Sequence, residues 1–258
     1  MNEVVVTTRS GLRGVRFFPA MVLATVRVRR QLARTPGVVR WASVLGGPTE
    51  FWTITVWRSR HEMQEFMRSG AHGELMWLFA RWLRSFWLMR WGPGAARIGS
   101  WDGFAIACGE GSSAHRRVPF VVDDVRRPRA DLSPAGGAVV RIRTSAFGLP
   151  RALRELRHLR AELRSDPRLL RLALGIAKPG ELYLFAVWRE REAAAALVQS
   201  PWVRAAAARW GEGFWAQEWL PENEFGHWDG LRVRTAPRVS AARPHLRRAE
   251  TRAGPGGT

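Results

Sequence analysis

The sequence predicts an α+β fold: two tandem ferredoxin-like βαββαβ units packing sheet to sheet as one barrel. Three observations predict it. Residues 36–69 align without a gap on residues 167–200, at a constant offset of 131. Pro36 falls on Pro167, Arg40 on Arg171, Pro48 on Pro179, Glu50 on Glu181, Val56-Trp57-Arg58 on Val187-Trp188-Arg189 and Ser69 on Ser200. A period of this length is the size of a small domain, too long for a solenoid repeat. Each half also shows the order β-α-β-β-α-β, the ferredoxin-like unit. Such a sheet carries both helices on one face and leaves the other apolar and bare. Two copies in one chain can cover each other's bare faces. The space enclosed between the sheets is then the expected ligand site.

The elements follow in order. Val4–Thr8 reads as a strand. Phe17–Arg34 reads as a helix, although Val22, Thr25, Val26 and Val28 are β-branched. Val38–Leu45 and Phe51–Trp57 read as strands around Gly46-Gly47-Pro48. Arg60–Trp91 reads as largely helical, with a strand near Ala96–Ala105. In the second half Ala138–Thr144 alternates as a strand. Pro150 opens a helix whose apolar face is Leu153, Leu156, Leu159 and Leu163, and Asp166-Pro167 ends it. Leu169–Ala177 and Glu181–Trp188 are strands around Lys178-Pro179-Gly180. Arg191–Trp210 is helical, kinked or restarted at Ser200-Pro201. A last strand is expected within Phe225–Val233. Each half ends on one tripeptide, Trp101-Asp102-Gly103 and Trp228-Asp229-Gly230, read as a turn. The expected boundaries are 1–108 for the first unit, 109–136 for a connecting segment with an extended piece at Val118–Val122, 137–232 for the second unit and 233–258 for a disordered basic tail.

Composition narrows the partners. The chain has 14 Trp and 1 Tyr. Indoles in such number suit a thick core, an aromatic-lined pocket or an interfacial surface. Lys plus Arg is 41 and the formal charge is +19, a field that attracts anions. Nucleic acid is disfavoured, because a ferredoxin-like sheet that binds RNA needs its open face free and the tandem covers it. The single cysteine, Cys108, excludes an internal disulfide and fits a reducing compartment. Met1–Arg9 has no basic segment followed by an apolar stretch, so no leader is expected. Leu75–Trp91 is broken by Arg81, Arg84 and Arg90 and is no spanning helix. Its Trp77, Trp82, Trp87 and Trp91 alternate with those arginines. That pattern suits a helix lying in a membrane interface, or one packed between units with its arginines reaching water.

A family resemblance rests on particular residues. Phe51-Trp52-Thr53-Ile54-Thr55-Val56-Trp57-Arg58-Ser59, followed by Glu62-Met63-Gln64-Glu65-Phe66 and Ser69-Gly70-Ala71-His72, resembles the dimeric α+β barrel superfamily. That group includes antibiotic-biosynthesis monooxygenases and small haem-degrading enzymes. The tandem form is similar to the spheroidene monooxygenase-like proteins, as are Arg116–Phe120, Val139–Thr144, Asp166-Pro167 and Gly175-Ile176-Ala177. The resemblance covers roughly residues 3–232. It implies oxidation of a carotenoid with dioxygen and haem. One departure stands out. The family carries a small-small-His stretch at the second helix of the second unit, where this chain has Ser200-Pro201-Trp202-Val203. The histidine stands only in the first unit, as His72.

A haem iron needs an axial donor, and imidazole is the commonest. His72, His158 and His227 are the candidate haem ligands. Beside that role each has a structural reading: a helix-end surface residue, a boundary residue of a Leu-striped helix, and a strand-end residue. No two have metal-ligand spacing, so no metal site is expected. Arg58 and Arg189 recur at equivalent strand ends. They are candidate contacts for an anion such as a haem carboxylate, or structural partners of Glu50 and Glu181. No catalytic base is singled out. A cofactor-free monooxygenase is also open, since such enzymes need a dry, aromatic-lined pocket with a few polar groups.

These readings converge on a monooxygenase, an oxidoreductase acting on a hydrophobic polyene or aromatic small molecule, haem-dependent or cofactor-free. The alternative is a non-catalytic small-molecule or haem-binding protein of the same fold. The expected location is the cytoplasm, with peripheral association at the inner face of the membrane, and a homo-oligomer is open.

Overall fold

The computed structural model describes residues 3–106, 120–124, 127–133 and 135–235. Eight strands close into one antiparallel barrel. The first unit contributes β1 (Val4–Leu12), β2 (Val38–Gly47), β3 (Glu50–Trp57) and β4 (Leu83–Gly99). The connecting segment carries β5 (Phe120–Asp124) and β6 (Arg127–Ser133). The second unit contributes β7 (Gly136–Arg143), β8 (Leu169–Lys178), β9 (Glu181–Trp188) and β10 (Phe214–Gly226), and β11 (Leu231–Thr235) follows. Around the barrel the order is β1-β3-β2-β8-β9-β7-β10-β4. The expected tandem α+β barrel is therefore the observed architecture. The two seams are unequal. β4 and β10 pair from Gly99–Trp215 to Trp87–Gly226, whereas β2 and β8 meet at Leu45–Ile176.

Helices α1 (Phe18–Arg34), α2 (Arg60–Arg68) and α3 (Gly70–Trp82) cover the first sheet from outside. Helices α4 (Leu149–Arg164), α5 (Arg191–Val198) and α6 (Pro201–Trp210) cover the second. Caps explain the breaks. Ser59 accepts from the Glu62 N–H at the start of α2, and Ser200 accepts from the Val203 N–H at the start of α6, just before Pro201.

Three expectations need correction. Arg60–Trp91 is not one helical region, because β4 begins at Leu83. From there Ser85, Trp87, Met89 and Trp91 are buried, while Arg84 is exposed and Phe86, Leu88 and Arg90 are half-buried. This is a strand period, so the proposed interfacial helix is absent. The last strands likewise start earlier than expected, at Leu83 and Phe214, directly after the helices. Finally, the connecting segment carries two strands where one extended piece at Val118–Val122 is expected, and with β11, which runs past the expected boundary at 232 to Thr235, they form a second sheet of order β11-β5-β6. The remainder of the expected tail lies outside the described residues, as does Cys108.

The barrel interior is solid. Seven indoles (Trp52, Trp87, Trp91, Trp101, Trp215, Trp219 and Trp228) fill it together with Tyr183 and Phe185. The rings stack or meet edge to face, as with Trp101 on Trp215 at 5.0 Å and Phe185 on Trp228 at 6.0 Å. The space between the sheets is thus core, not the ligand site expected there.

The repeated Trp-Asp-Gly is more than a turn. Arg40 donates to the carbonyls of Trp101 and Asp102, and Arg171 to those of Trp228 and Asp229. This fixes both aspartates at positive φ, 51° and 46°. Their carboxylates then cross between units: Asp102 to Arg141, and Asp229 to Arg9.

Candidate functional site

The helix sides of the two units differ. In the second unit Leu156, Val203, Leu184 and their neighbours pack the middle of the layer between sheet and helices, and a cavity of about 260 Å³ opens at its edge between Leu159, Trp188, Leu197 and Trp202. In the first unit the same layer holds a cavity of about 100 Å³. Its floor is the outer face of β1, β2 and β3, with Thr8, Ser10, Ser43, Thr53 and Thr55. Its roof is α1, with Met21, Thr25 and Val28, closed at one end by Phe66 and Met67 and by His72 near the start of α3.

The repeat supplies an internal control. Thr8 opposes Thr53 across β1 and β3, and Val140 opposes Leu184 across β7 and β9. Ser10 opposes Phe51, and Ile142 opposes Leu182. Val6 opposes Thr55, and Ala138 opposes Ala186. Ser43 opposes Thr53, and Leu174 opposes Leu184. On the helices the offset of 131 places Thr25 on Leu156 and His72 on Val203. At Thr8, Ser10, Thr25, Ser43, Thr53, Thr55 and His72 a hydroxyl or imidazole of the first unit matches an aliphatic side chain of the second. Other positions keep their kind: Val56 matches Val187, Trp57 matches Trp188 and Leu32 matches Leu163.

The hydroxyls are tied to each other and to the frame. Thr8 and Thr53 share a 2.6 Å hydrogen bond, and Trp57 Nε1 donates to Thr55 Oγ1 at 2.8 Å. His72 is held from three sides. Its N–H donates to Gln31 Oε1 at 2.9 Å, its ring lies 4.9 Å from that of Phe66, and Nδ1 lies 3.1 Å from the Met67 carbonyl oxygen. A carbonyl only accepts, so Nδ1 carries the proton and Nε2 keeps its lone pair. Burial pushes the imidazole below its ordinary 6.5, against the opposing pull of the Met67 hydrogen bond. His72 is therefore neutral at pH 7, with one basic nitrogen.

The other sequence candidates do not join it. His158 is exposed on α4 and faces Glu162 at 3.2 Å. His227 Nδ1 accepts from the Gly230 N–H, a turn contact. Arg58 is exposed and Arg189 half-buried, each at the end of its strand, and neither lines the cavity. The expected partners of these arginines are taken. Glu50 binds Arg9, and Glu181 binds Arg141. Among the described residues no group of three or more His, Cys, Asp or Glu is placed to hold a metal ion.

The first-unit cavity does not fit a haem. Pockets that enclose drug-sized ligands run to roughly 300–1,000 Å³, and no cation lines this one to meet two carboxylates. A small, mostly apolar molecule with polar edges suits it instead.

No family model and no curated protein matches the sequence. Solved structures do match the fold. A structure of aldoxime dehydratase superposes with a TM-score of 0.55 at 12% identity, covering 91% of this chain and 85% of that one. A candidate monooxygenase from Fusobacterium nucleatum gives 0.36 at 7% identity, over 92% of this chain and 99% of that one. A mutant of SnoaB, a cofactor-independent oxygenase from Streptomyces nogalater, gives 0.29 at 17% identity, over 35% and 91%. At these identities the likeness bears on the fold alone.

Proposed function

We propose that the chain is a monooxygenase whose reaction chamber is the first-unit cavity. One observation carries this reading: the first-unit cavity is walled by the hydroxyls of Thr8, Ser10, Ser43, Thr53 and Thr55 and the imidazole of His72, where the equivalent positions of the second unit are aliphatic. A stability role would put them in both units. The substrate class is a small conjugated or aromatic compound with an acidic C–H or O–H and a polar edge for the threonine floor. Benzene fills a cavity of about 150 Å³, so a ring enters with a small outward shift of the roof. A long polyene would place only one end inside.

The reading assigns His72 Nε2 as general base. It takes a proton from an activated methylene, and the carbanion reduces dioxygen to form a C–O bond. The same proton returns to the peroxide, which loses water, so methylene and dioxygen leave as carbonyl and water. The Thr8–Thr53 pair hydrogen-bonds the substrate's oxygen, and the apolar roof excludes water from the anion. The monooxygenase names of some structural neighbours accord with this chemistry without carrying it.

Dioxygen uptake by the purified protein, with a panel of one- to three-ring compounds bearing activated methylenes or hydroquinones, tests it. Uptake with product one oxygen heavier and two hydrogens lighter, lost in His72→Ala, is the expected result. Tight binding of panel members without turnover would instead make the chain a binding protein. Uptake indifferent to His72 would remove the assigned base.

A further inference from the structure

We propose that the outer face of α1 docks the protein on an anionic lipid bilayer. Aliphatic side chains form a stripe there. Val22 is 40% exposed, Leu23 58% and Val26 36%, with Val15 at 60% just ahead of the helix. Leu78, on the adjacent α3, is 36% exposed. Large apolar groups exposed together on one helix face mark a surface meant to be covered. Arginines rim the stripe: Arg16 before it, and Arg27, Arg30 and Arg34 toward the C-terminal end, all exposed. No Asp or Glu occurs from Val4 to Thr49.

The second unit again serves as control. At the offset of 131, Leu23 falls on Arg154 and Val26 on Arg157. Both arginines are exposed on α4. One fold position is thus greasy in the first unit and charged in the second.

Charge selects the occupant. A twofold contact between copies through this face would bring the same arginines against one another, which opposes it. A bilayer supplies hydrocarbon for the stripe and negative headgroups for the rim. No helix of the described residues is long and apolar enough to cross a membrane, so the contact is with the surface. The opposite face of α1 roofs the cavity through Met21, Thr25 and Val28. Docking would therefore set the chamber's roof against the reservoir of an apolar substrate, but the docking stands whether or not the chamber is catalytic.

Vesicle flotation of the full chain tests it, with phosphatidylcholine alone or mixed with phosphatidylglycerol. Two variants separate apolar insertion from charge attraction, with folding checked by circular dichroism. Val22→Ser with Leu23→Ser keeps the charge and should weaken partitioning onto mixed vesicles about tenfold or more. Leu23→Arg with Val26→Arg copies the second unit's surface and adds two positive charges. It too should weaken partitioning if the stripe inserts, whereas attraction by charge alone would strengthen it. A wild type that does not float, or an arginine variant that floats as well or better, overturns the proposal. So does a lipid-free dimer that the same substitutions dissociate, since the stripe would then be a subunit interface.

Discussion

Arg141, wholly buried on β7, reaches across the unit boundary to bind Asp102 at 2.9 Å. The same guanidinium neutralises buried Glu181, which also accepts from Tyr183. The pseudo-equivalent Arg9 holds Asp229 and Glu50 in a wetter setting. Removing one partner of a buried pair leaves the other charge uncompensated. Arg141→Leu leaves Glu181 only Tyr183 and the exposed Lys178, 3.3 Å away, and urea denaturation is expected to show a loss of about 3 kcal/mol. Glu50 is 31% exposed, so Arg9→Leu should cost distinctly less. Equal losses would refute the difference in burial.

These crossings also set an acid limit. Burial pushes the Asp102 carboxyl up, but its hydrogen bond to Arg141 and the charges of Arg141, Arg143 and Lys178 together hold it below 3.8. Burial likewise raises Asp229, and the charge and hydrogen bond of Arg9, helped by Ser85 and Arg84, bring it below 3.8. A carboxylate depressed in the fold stabilises it above the unfolded value and stops doing so as pH falls through the folded one. Unfolding free energy should therefore decline as pH falls below about 3.8. In the Asp102→Asn, Asp229→Asn double variant that part of the decline should shrink, which stability curves measured at successive pH values would show.

The fold was legible where local chemistry and tertiary position agreed. Glu181–Trp188 is a short apolar run that follows the Lys178-Pro179-Gly180 turn, and the strand has those limits. Leu83–Trp91 misled because its composition is helical in flavour, and only the alternation of Trp87, Met89 and Trp91 with Arg84, Leu88 and Arg90 betrays a strand. The Trp-Asp-Gly repeat was visible, but its cross-unit ion pairs join residues far apart in the chain. The cavity was within reach: aligning Thr8, Thr53 and His72 with Val140, Leu184 and Val203 exposes the polar set before any coordinates. That the hollow lies outside the barrel could not be read, because it depends on seven indoles filling the inside.

Gly99 and Gly226 occupy matching places where the long seam ends. Both have positive φ, 73° and 82°. A Cβ at Gly99 would overlap the carbonyl oxygen of Phe214, and one at Gly226 that of Phe86. Backbone cannot give way as a side chain can. Alanine at either site should cost more than about 2 kcal/mol from the left-handed backbone and the displaced seam together. Calorimetric midpoints of the two single variants should fall by similar amounts, and a shift in only one would contradict the symmetry of the seam.

Making the first unit resemble the second should separate binding from stability. Thr8→Val, Ser10→Ile and Thr53→Leu together place the second unit's residues on the cavity floor. Filling the cavity should leave the fold unharmed or raise stability by about 1–2 kcal/mol, as cavity filling commonly does. Ligand binding should be lost in the same protein. A thermal melt and a titration with any panel compound that binds wild type decide this. A destabilised variant would mean that the hydroxyls serve the fold.

His72 makes a prediction that is independent of any substrate. Burial holds its folded-state pKa below the unfolded 6.5. The folded chain therefore binds fewer protons than the unfolded one as pH falls through and below that value, and stability drops over the same interval. In proton–carbon NMR spectra the His72 ring should titrate below 6.5, and Gln31→Leu, which removes the acceptor of the His72 N–H, should alter its shifts. If the chamber reaction is real, kcat/KM should rise through that same pKa and stay level above it, because only the neutral ring is a base. A ring that titrates at 6.5 or above would leave His72 protonated in part near neutrality and would undercut both expectations.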